Sequence, residues 1–404
     1  MKILIFSQYF WPESFIINDF VKHLALQGHE VTVATGKPNY PGGEIFKGYR
    51  AGGVQKEEFL KGVDVYRVPL RPRGPGGGKN LILNYFSFVF SGLVYFPFLL
   101  RKKKFDTIMV FAPSPIVQAL PAIWLKFLKR AHLSIWVQDL WPESLSATGF
   151  VKNRFLLWLV SWLVRFIYFF TDTLLVQSEA FTEPVATFAD RKKIAYFPNC
   201  FDPAVNTQAE LPQVLVKTLT ANFSFVFAGN LGTAQALETI CAAAEELRDL
   251  PNCKIILVGS GSQSKWIEGR IVERKLDNLV LAGRFPMESM PAIFELSKVL
   301  LVTLKDDPIF RLTIPSKIQA YLAAKKPILA AINGEGARIV KEAGAGLTSP
   351  AEDAGALALN MRRMYAMKDV ELNKMSASAR DYFENNFDMS TQVKKFVSLM
   401  AERI

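Results

Sequence analysis

The residues best suited to chemistry stand at the start of a predicted helix, in IPSKIQAYLAAKKPIL over residues 314–329. Pro315 and Ser316 are typical of a first helical turn, so free amides of that turn are expected to point out of the helix N-terminus. Lys317 in this turn and Arg311 just before it add full positive charges. Such a group can bind a diphosphate and stabilise its departure, although a capped helix after a loop can equally be structural.

Two carboxylates follow another predicted strand. Asp139 and Glu143 lie in VQDLWPESL, residues 137–145, just past the end of that strand. A carboxylate there can accept the proton of an incoming hydroxyl, or orient the hydroxyl for attack. Asp before a turn and Glu in a first helical turn are also common caps, so both residues have a structural alternative.

Similar positions occur after two other predicted strands. Glu13 and Ser14 follow the first strand in FWPESFIIND and are candidates for the acceptor side of a site. Ser114 lies in APSP, after the strand that ends at Ala112. For Ser114 the role of a turn residue is slightly favoured.

Metal and disulfide chemistry are not expected. The histidines are too scattered for a ligand cluster, the cysteines are too few and too poorly spaced for a disulfide framework or a zinc site, and two adjacent loop aspartates are expected to be solvated. These residues are His23, His29, His132, Cys200, Cys241, Cys253, Asp306 and Asp307. We predict no bound metal ion.

Short runs of β-branched and aromatic residues alternate with helical patterns, first up to residue 198 and again from residue 224. Such alternation predicts doubly wound parallel sheets, and two series over 404 residues predict two α/β domains. The predicted strands cover residues 2–8, 30–35, 63–69, 107–112, 133–139, 173–177 and 194–198, and then 224–230, 254–259, 279–285, 299–305 and 327–332.

The domain boundary is predicted in FPNCFDPAVN, residues 197–206, where Pro and Asn interrupt the pattern. The predicted domains are residues 1–199 and 200–385, with a helix over 386–404 that packs back on the first domain. Ligands of open parallel sheets bind at the carboxyl ends of the strands, so we expect the two sheets to face a common cleft.

Residues 36–79 contain two loop-like stretches rich in Gly, Pro and basic residues, GKPNYPGGEIFKGY and PLRPRGPGGGKN. Mobility is expected there. Two interpretations stay open, a solvated surface excursion and a functional loop that closes over an anionic ligand.

The formal charge of +11 lies mainly in the first half of the chain. Residues 1–199 carry 24 Lys and Arg against 14 Asp and Glu, whereas residues 200–404 carry 24 against 23. A one-sided basic surface suits nucleic acid, anionic lipid or a phosphorylated substrate. Aromatic-rich apolar stretches in the same half favour lipid, so no nucleic-acid partner is predicted. Since MKILIFSQYF also lacks the features of a signal peptide, a cytoplasmic location is expected.

The prediction that the protein contacts lipid is based on two apolar runs. LILNYFSFVFSGLVYFPFLL, residues 81–100, is followed by RKKK, and FLLWLVSWLVRFIYFF, residues 155–170, is preceded by Lys152 and Arg154. The first run is long enough to cross a membrane, but a span would place strands of one sheet on opposite sides of the bilayer. We therefore predict interfacial helices on an anionic membrane surface, with ordinary core helices as the alternative. The predicted location is the cytoplasmic face of the inner membrane, in peripheral association.

The stretch at residues 314–329 resembles the donor-binding element of family 4 glycosyltransferases, where a loop and helix run into YLAxGKPIL. Further landmarks agree in order: GHEVTVAT at 28–35, FPNCFD at 197–202, FAGNLG at 227–232, LVGSGS at 257–262 and AGRFPMESMPAIFELSKVLLVTL at 282–304. The resemblance covers nearly the whole chain. It implies a GT-B fold, a nucleotide-sugar donor, retention of anomeric configuration and no cofactor. It also implies donor contacts at Gly259 and from the backbone near Phe285, with uracil as the preferred base.

Within that family the chain is similar to N-acetylfucosaminyl transferases of O-antigen and capsule assembly. The marks of this subgroup are SQYFWPESFIINDF at 7–20, KPNYPGG at 37–43, VQDLWPESL at 137–145 and GNLGTAQAL at 229–237. The likeness implies a polyprenyl-diphosphate-linked sugar as acceptor. It also implies a UDP-activated donor such as N-acetyl-L-fucosamine or a related amino sugar.

The chain departs from the wider family at four positions. Members usually carry two Glu separated by seven residues, and an Arg and a Lys after the first strand of the second domain. In this chain Arg311 and Gln319 stand at the two Glu positions. Asn230 and Gln235 stand at the Arg and Lys positions. The diphosphate charge is therefore expected to be met by Lys305, Arg311, Lys317 and helix amides. Gln319 can still hydrogen-bond a ribose hydroxyl.

Mechanism and function retain alternatives at this level. No nucleophile identifies itself, so retention can proceed by front-face substitution or by double displacement through Asp139. A sugar-nucleotide epimerase shares the two-sheet plan and comparable donor contacts. A non-catalytic, sugar-nucleotide-binding partner subunit is the other alternative.

Overall fold

The computed structural model of the protein describes residues 1–147, 153–203 and 210–404. The chain divides into two compact units, unit 1 with residues 1–199 and 389–404, and unit 2 with residues 200–388. Part of the predicted boundary segment, residues 204–206, lies outside the described residues, as does Lys152 of the predicted basic flank.

Unit 1 contains an eight-stranded sheet whose strands are mostly buried, apolar and short. Its strands are β1 Lys2–Phe6, β2 Glu30–Thr35, β3 Gln55–Leu60, β4 Val63–Arg67, β5 Thr107–Ala112, β6 His132–Val137, β7 Thr173–Val176 and β8 Ile194–Tyr196. Its helices are α1 Ile16–Leu26, α2 Gly78–Leu99, α3 Ala119–Lys129, α4 Glu143–Ala147, α5 Arg154–Phe170, α6 Thr182–Ala186 and, from the chain end, α16 Met389–Arg403.

The strand order in unit 1 is β3-β4-β2-β1-β5-β6-β7-β8, and every neighbouring pair except β3–β4 is parallel. The order reverses direction between β1 and β5. In doubly wound sheets the loops after two such strands diverge and leave room for a ligand. The residues after β1 and β5 therefore lie where this sheet is built to bind.

Unit 2 contains a six-stranded, wholly parallel sheet. Its strands are β9 Phe223–Ala228, β10 Cys253–Val258, β11 Leu279–Gly283, β12 Val299–Thr303, β13 Ile328–Ala331 and β14 Gly346–Ser349. Its helices are α7 Gln213–Thr220, α8 Leu237–Glu246, α9 Ser264–Glu273, α10 Met290–Leu296, α11 Pro308–Leu312, α12 Ser316–Ala323, α13 Glu335–Glu342, α14 Ala354–Tyr365 and α15 Asp369–Asn386.

The order in unit 2 is β11-β10-β9-β12-β13-β14, the arrangement of a dinucleotide-binding fold. Two apolar clusters cover the two faces of the sheet, one around Val226, Ile318 and Leu322 and the other around Phe225, Ile240 and Leu357. Its direction reverses between β9 and β12. The predicted fold class, two doubly wound parallel-sheet domains, is confirmed.

Two strands were not predicted. β3 is an edge strand whose residues alternate between exposed and half-buried, in the polar sequence QKEEFL, and it pairs with β4 antiparallel. β14 has only four residues, GLTS. Neither sequence carries enough apolar periodicity to be distinguished from a loop.

The C-terminal helix α16 belongs to unit 1. Phe396 packs edge-on against Phe20 of α1 with ring centroids 5.5 Å apart, and Gln27 donates a hydrogen bond to the Ser390 carbonyl at 3.0 Å. Its contacting side is apolar, with Val393, Phe396 and Met400 buried. The chain thus returns from unit 2 to complete the core of unit 1.

Candidate active site

Helix α12 is fixed to the end of β9 by one tyrosine. The Tyr321 hydroxyl accepts a hydrogen bond from the Ala228 N–H at 3.0 Å and lies 3.4 Å from the Ala228 carbonyl oxygen. On this side of β9, β12 pairs only with Phe225 and Val226, so it does not reach Ala228. The Tyr321 hydroxyl therefore bonds the Ala228 N–H in place of a neighbouring strand. The start of α12 is therefore held beside the loop that follows β9.

Lys317, predicted from the sequence, lies in the first turn of α12 and is half-buried. Its ammonium group donates a hydrogen bond to Gln235 Oε1 at 2.5 Å and lies 3.6 Å from the centre of the Phe227 ring. Burial lowers the pKa of Lys317 to about 7. A buried ammonium beside a neutral amide and an aromatic ring is costly to charge, and an anionic ligand would remove much of that cost.

Glycines bring the loops after β9 and β10 into direct contact with each other and with Lys317. Gly229 has φ +142°, and a Cβ there would lie 2.6 Å from Lys317 Cε. Gly259 has φ +147°, and its Cβ would lie 1.8 Å from the Gly229 carbonyl oxygen. Only residues without a side chain permit this packing, so Gly259 shapes the floor of the site. Asn230, the residue after Gly229, is exposed.

The turn that carries Gln235 is tied to the end of β12. Thr303 Oγ1 donates a hydrogen bond to the Gln235 carbonyl at 2.5 Å, and the Lys305 N–H donates to the Ala234 carbonyl at 2.9 Å. The turn and Lys305 thus meet where the strand order of unit 2 reverses. The Lys305 side chain is exposed.

Arg311 is placed differently from the expectation. Its guanidinium donates two hydrogen bonds to the Asp306 carboxylate, at 2.7 and 2.6 Å, and Asn333 donates a third at 3.0 Å. The hydrogen bonds from Arg311 and Asn333 lower the pKa of Asp306 to about 2. Asp306 is thus an ion-pair partner instead of a merely solvated acid, and Arg311 could bind a diphosphate only in competition with it.

Other predicted donor residues lie around α12. Pro315 immediately precedes the helix, Ser316 is its exposed first residue, and the Ile318 N–H donates to the Pro315 carbonyl at 2.9 Å. The amides of the first two helical residues have no partner within the helix. Gln319 is buried in α12, and Phe285 follows β11 and packs against the core. The structure therefore gathers Gln235, Gly259 and Lys317, with Pro315 and Ser316 beside them.

In unit 1 the structure brings two predicted residues together. Ser114 follows β5 and Asp139 follows the adjacent β6, and the two side chains are hydrogen-bonded. Trp141 Nε1 donates to Ser114 Oγ at 3.2 Å, which orients the hydroxyl. Burial raises the pKa of Asp139, and the bond from Ser114 partly offsets that rise. Asp139 is consequently a stronger base than an exposed aspartate.

The remaining acceptor-side residues differ in burial. Ser14 and Glu143 are exposed, and Glu143 begins α4. Glu13 is buried, and its carboxylate accepts hydrogen bonds from the N–H groups of Asn39 at 2.8 Å, Tyr40 at 2.7 Å and Phe10 at 3.2 Å. Burial raises the pKa of Glu13 to about 7, against the effect of these donors. Glu13 thus holds two loops together instead of presenting an open carboxylate.

The first loop-like stretch is anchored at its start, which argues against a purely solvated excursion there. Lys37 and Asn39 are buried, and Lys37 Nζ donates to Gln55 Oε1 at 2.9 Å. Asn39 Oδ1 accepts from the Arg73 N–H at 3.1 Å and from Asn84 Nδ2 at 3.3 Å. These amide contacts join the two Gly- and Pro-rich stretches to α2.

An aromatic and cationic cluster near Asp139 was not predicted. Arg73 lies over the rings of Tyr9 and Tyr40, at 5.8 and 5.1 Å from their centres, and hydrogen-bonds Tyr85. The Asp139 charge in turn raises the pKa of Tyr85, so the two groups are close. The members of this cluster come from separate segments of the chain, so no local sequence pattern indicated it.

The histidines lie away from both sites. His132 begins β6 and hydrogen-bonds Thr173 Oγ1 at 2.9 Å, while His29 just precedes β2 and contacts the N-terminal amine at 3.3 Å. Both therefore stand at the amino ends of strands. Among the described residues, no three His, Cys, Asp or Glu side chains are grouped to hold a metal ion.

Comparisons with known proteins match both units. Residues 16–200 match the glycosyl transferase 4-like domain, and residues 222–367 match glycosyl transferases group 1. The putative colanic acid biosynthesis glycosyl transferase WcaI of Escherichia coli is 26% identical over 441 residues, covering 98% of this chain and 99% of that protein. The probable glycosyltransferase WbjE of Pseudomonas aeruginosa is 24% identical over 341 residues, covering 80% and 82%.

Solved structures are similar over the full length at low identity. HepE of Anabaena in complex with UDP has a TM-score of 0.67 at 13% identity, covering 100% of both chains. An Escherichia coli structure with bound UDP-2-fluoro glucose, named for trehalose-6-phosphate, has a TM-score of 0.70 at 14% identity, covering 99% of each. These likenesses show the GT-B fold. With a 4-like domain over its first sheet and a group 1 domain over its second, the chain belongs to the GT4-like glycosyltransferases.

Proposed function

We propose that this glycosyltransferase moves a sugar from a UDP-activated donor to a polyprenyl-diphosphate-linked sugar during synthesis of a bacterial surface polysaccharide, with retention of configuration. N-acetyl-L-fucosamine or a related amino sugar is the preferred donor residue. The enzyme works without a metal ion or other cofactor, in peripheral association with the cytoplasmic face of the inner membrane.

Lys317 is the observation that carries the donor side of the proposal. A buried ammonium at the first turn of α12 stands beside free helix amides, and its hydrogen-bond partner Gln235 is neutral. A diphosphate would gain a charge-assisted bond and several amide donors in one place. As the anomeric C–O bond breaks, the same groups stabilise the negative charge on the leaving UDP. UDP as the nucleotide is supported by the structures of HepE, which are complexes with UDP.

Asp139 carries the acceptor side. In our proposal its carboxylate orients the acceptor hydroxyl and takes up its proton as the hydroxyl oxygen bonds to the anomeric carbon. Front-face substitution needs no further residue, so we prefer it to double displacement. A polysaccharide product is supported by WcaI, whose name places it in colanic acid biosynthesis. The polyprenyl acceptor and the fucosamine donor rest on the sequence marks of the subgroup.

Purified enzyme should release UDP from UDP-N-acetyl-L-fucosamine, or from a related UDP-amino sugar, only when a polyprenyl-diphosphate-linked N-acetylglucosamine is added. The measurement is product formation across a panel of nucleotide sugars, with acceptor present and absent and with EDTA throughout. Epimerised donor without transfer would indicate an epimerase, and donor binding without turnover would indicate a partner subunit. Activity that vanishes in EDTA and returns with Mg²⁺ would contradict metal independence.

UDP binding should take up a proton at slightly alkaline pH. With a pKa of about 7, free Lys317 is mostly neutral above that pH, and a bound diphosphate favours its charged form. Protons become scarcer as pH rises, so UDP affinity should fall by up to about tenfold per pH unit from roughly pH 7 to 9. Calorimetry at pH 8 in buffers of different ionisation enthalpy measures the uptake.

Lys317→Met should lose both the proton uptake and the pH slope, whereas Lys217→Met, at an exposed position on α7, should keep both. An affinity that is equally insensitive to pH in wild type and Lys317→Met would place the diphosphate away from Lys317.

A further inference from the structure

Helix α2 has two apolar faces on opposite sides. Asn84, Phe88, Gly92 and Phe96, spaced by four, are buried against the rest of unit 1. Ile82, Phe86, Phe90, Val94 and Phe98, also spaced by four, are exposed. By length and composition α2 is the one helix among the described residues that could cross a membrane, yet one of its faces is part of the protein core. Its other apolar face is left uncovered by the part of the chain that the structure describes.

Helices α3 and α5 extend this exposed surface. α3 packs against both α2 and α5. Lys129 of α3 donates to the Leu100 carbonyl at the end of α2, at 2.5 Å, and Lys126 donates to the Phe170 carbonyl at the end of α5, at 2.8 Å. Phe127 and Phe170 also pack edge-on, with ring centroids 5.7 Å apart. The three helices are thus fastened together at their C-terminal ends.

All three helices carry exposed aromatic side chains, which together we call the docking face. It is defined by Phe90 and Phe98 (both 71% exposed), Trp124 (48%), Phe127 (54%), Trp158 (53%) and Trp162 (57%). A soluble surface rarely leaves so many large apolar side chains exposed on helices that pack against one another. Tryptophans at the edge of an apolar surface also suit the level of lipid headgroups.

The charged residues around the docking face indicate which kind of partner binds there. α2, α3 and α5 contain no acidic residue. Exposed basic residues border them instead: Arg101, Lys102 and Lys104 after α2, Arg130 after α3, and Arg154 and Arg165 on α5. An aromatic surface bordered mainly by positive charge complements an anionic bilayer, because the rings enter the acyl boundary while the cations meet lipid phosphates.

We propose that α2, α3 and α5 dock unit 1 on an anionic lipid bilayer in the plane of the interface, through the docking face and its basic border. That the enzyme works at a membrane follows from the proposed function, in which the acceptor is lipid-linked. The position of the docking face is inferred separately, from the exposed aromatic side chains and the basic residues beside them. The inclusion of α3, with Trp124 and Phe127, goes beyond the two apolar runs evident in the sequence.

The test is cosedimentation with vesicles of phosphatidylcholine, alone or with equimolar phosphatidylglycerol. Wild type should bind the anionic vesicles and lose binding in high salt. Trp158→Gln with Trp162→Gln should weaken binding at least about tenfold, because two large apolar side chains leave the interface. The combined variant Arg101→Glu, Lys102→Glu and Lys104→Glu should weaken it by about fivefold for each lost basic residue. Val214→Ser with Val272→Ser, at exposed positions of unit 2, is the matched control and should bind as wild type.

Brominated acyl chains give a second readout. They should quench tryptophan fluorescence in wild type, and the combined Trp124→Phe, Trp158→Phe and Trp162→Phe variant should lose this quenching while it still binds vesicles. Transfer to a short-chain, water-soluble acceptor should be unchanged in the Trp→Gln variant, which separates docking from catalysis. The docking proposal would be overturned if these substitutions left vesicle binding unchanged. It would also be overturned if the protein bound no lipid and instead formed a stable dimer that the substitutions convert to a monomer.

Discussion

Replacing Lys317 with methionine is expected to lower kcat at least about a hundredfold, the usual effect of removing one preorganised group that stabilises a developing negative charge. Methionine keeps much of the length and volume of lysine, so contact with the Phe227 ring and with Gly229 should survive. What is lost is the charge that meets the diphosphate as UDP departs. Steady-state transfer with a saturating donor measures the change in kcat.

The matched control is Lys217→Met, which changes the same side chain at an exposed position of α7 and should transfer sugar at the wild-type rate. Thermal unfolding of both variants checks that the fold is kept. Lys317→Ala serves as a second variant, because it also removes the aliphatic stem. Wild-type turnover in both folded Lys317 variants would show that the leaving diphosphate is stabilised elsewhere.

The sequence was sufficient for most of the parallel strands. Buried strands such as KIILV in β10 have a strong apolar signal, and the carboxyl ends of parallel strands must share one edge of the sheet. Lys317 was named from its place at a helix start, whereas Gln235 and Gly259 were named from the family resemblance, and in the structure the three lie close together. The edge strand β3 escaped prediction because its polar alternation matches an exposed loop.

The pairing of charged side chains could not be predicted from the sequence. Asp306 is only five residues from Arg311, but the sequence pattern does not indicate that the two side chains form an ion pair. The amides of Asn39 and Tyr40 that enclose Glu13 come from a separate loop, brought to Glu13 by packing. Such pairing decides whether a charge is available to a ligand. The Arg73 and Tyr85 cluster was missed for the same reason, since its members come from different segments.

Replacing Asp139 with asparagine is expected to lower kcat by about a hundredfold or more, the range for loss of a positioned general base. Asparagine keeps the shape and can still hydrogen-bond Ser114, but it cannot take up the proton of the acceptor hydroxyl. Glu30→Gln is the matched control, since Glu30 lies at the amino end of β2 in the same sheet and forms an exposed ion pair with Lys2. Donor binding by Asp139→Asn should stay at the wild-type level, because the donor is proposed to bind unit 2. An equal loss of UDP affinity would instead assign Asp139 to the donor.

The pH dependence distinguishes a base at Asp139 from a residue that only orients the acceptor. A base must be unprotonated, so kcat/KM should fall as the pH decreases through the pKa of Asp139, which burial raises. Ser114 donates the hydrogen bond that holds this pKa down. Ser114→Ala removes the bond, so the pKa should rise further and the acid limb should move to higher pH, with little change in the plateau. Ser376→Ala, on α15 of unit 2, should leave the profile in place. An acid limb that Ser114→Ala does not displace would mean that another group titrates there, and that Asp139 acts by orientation alone.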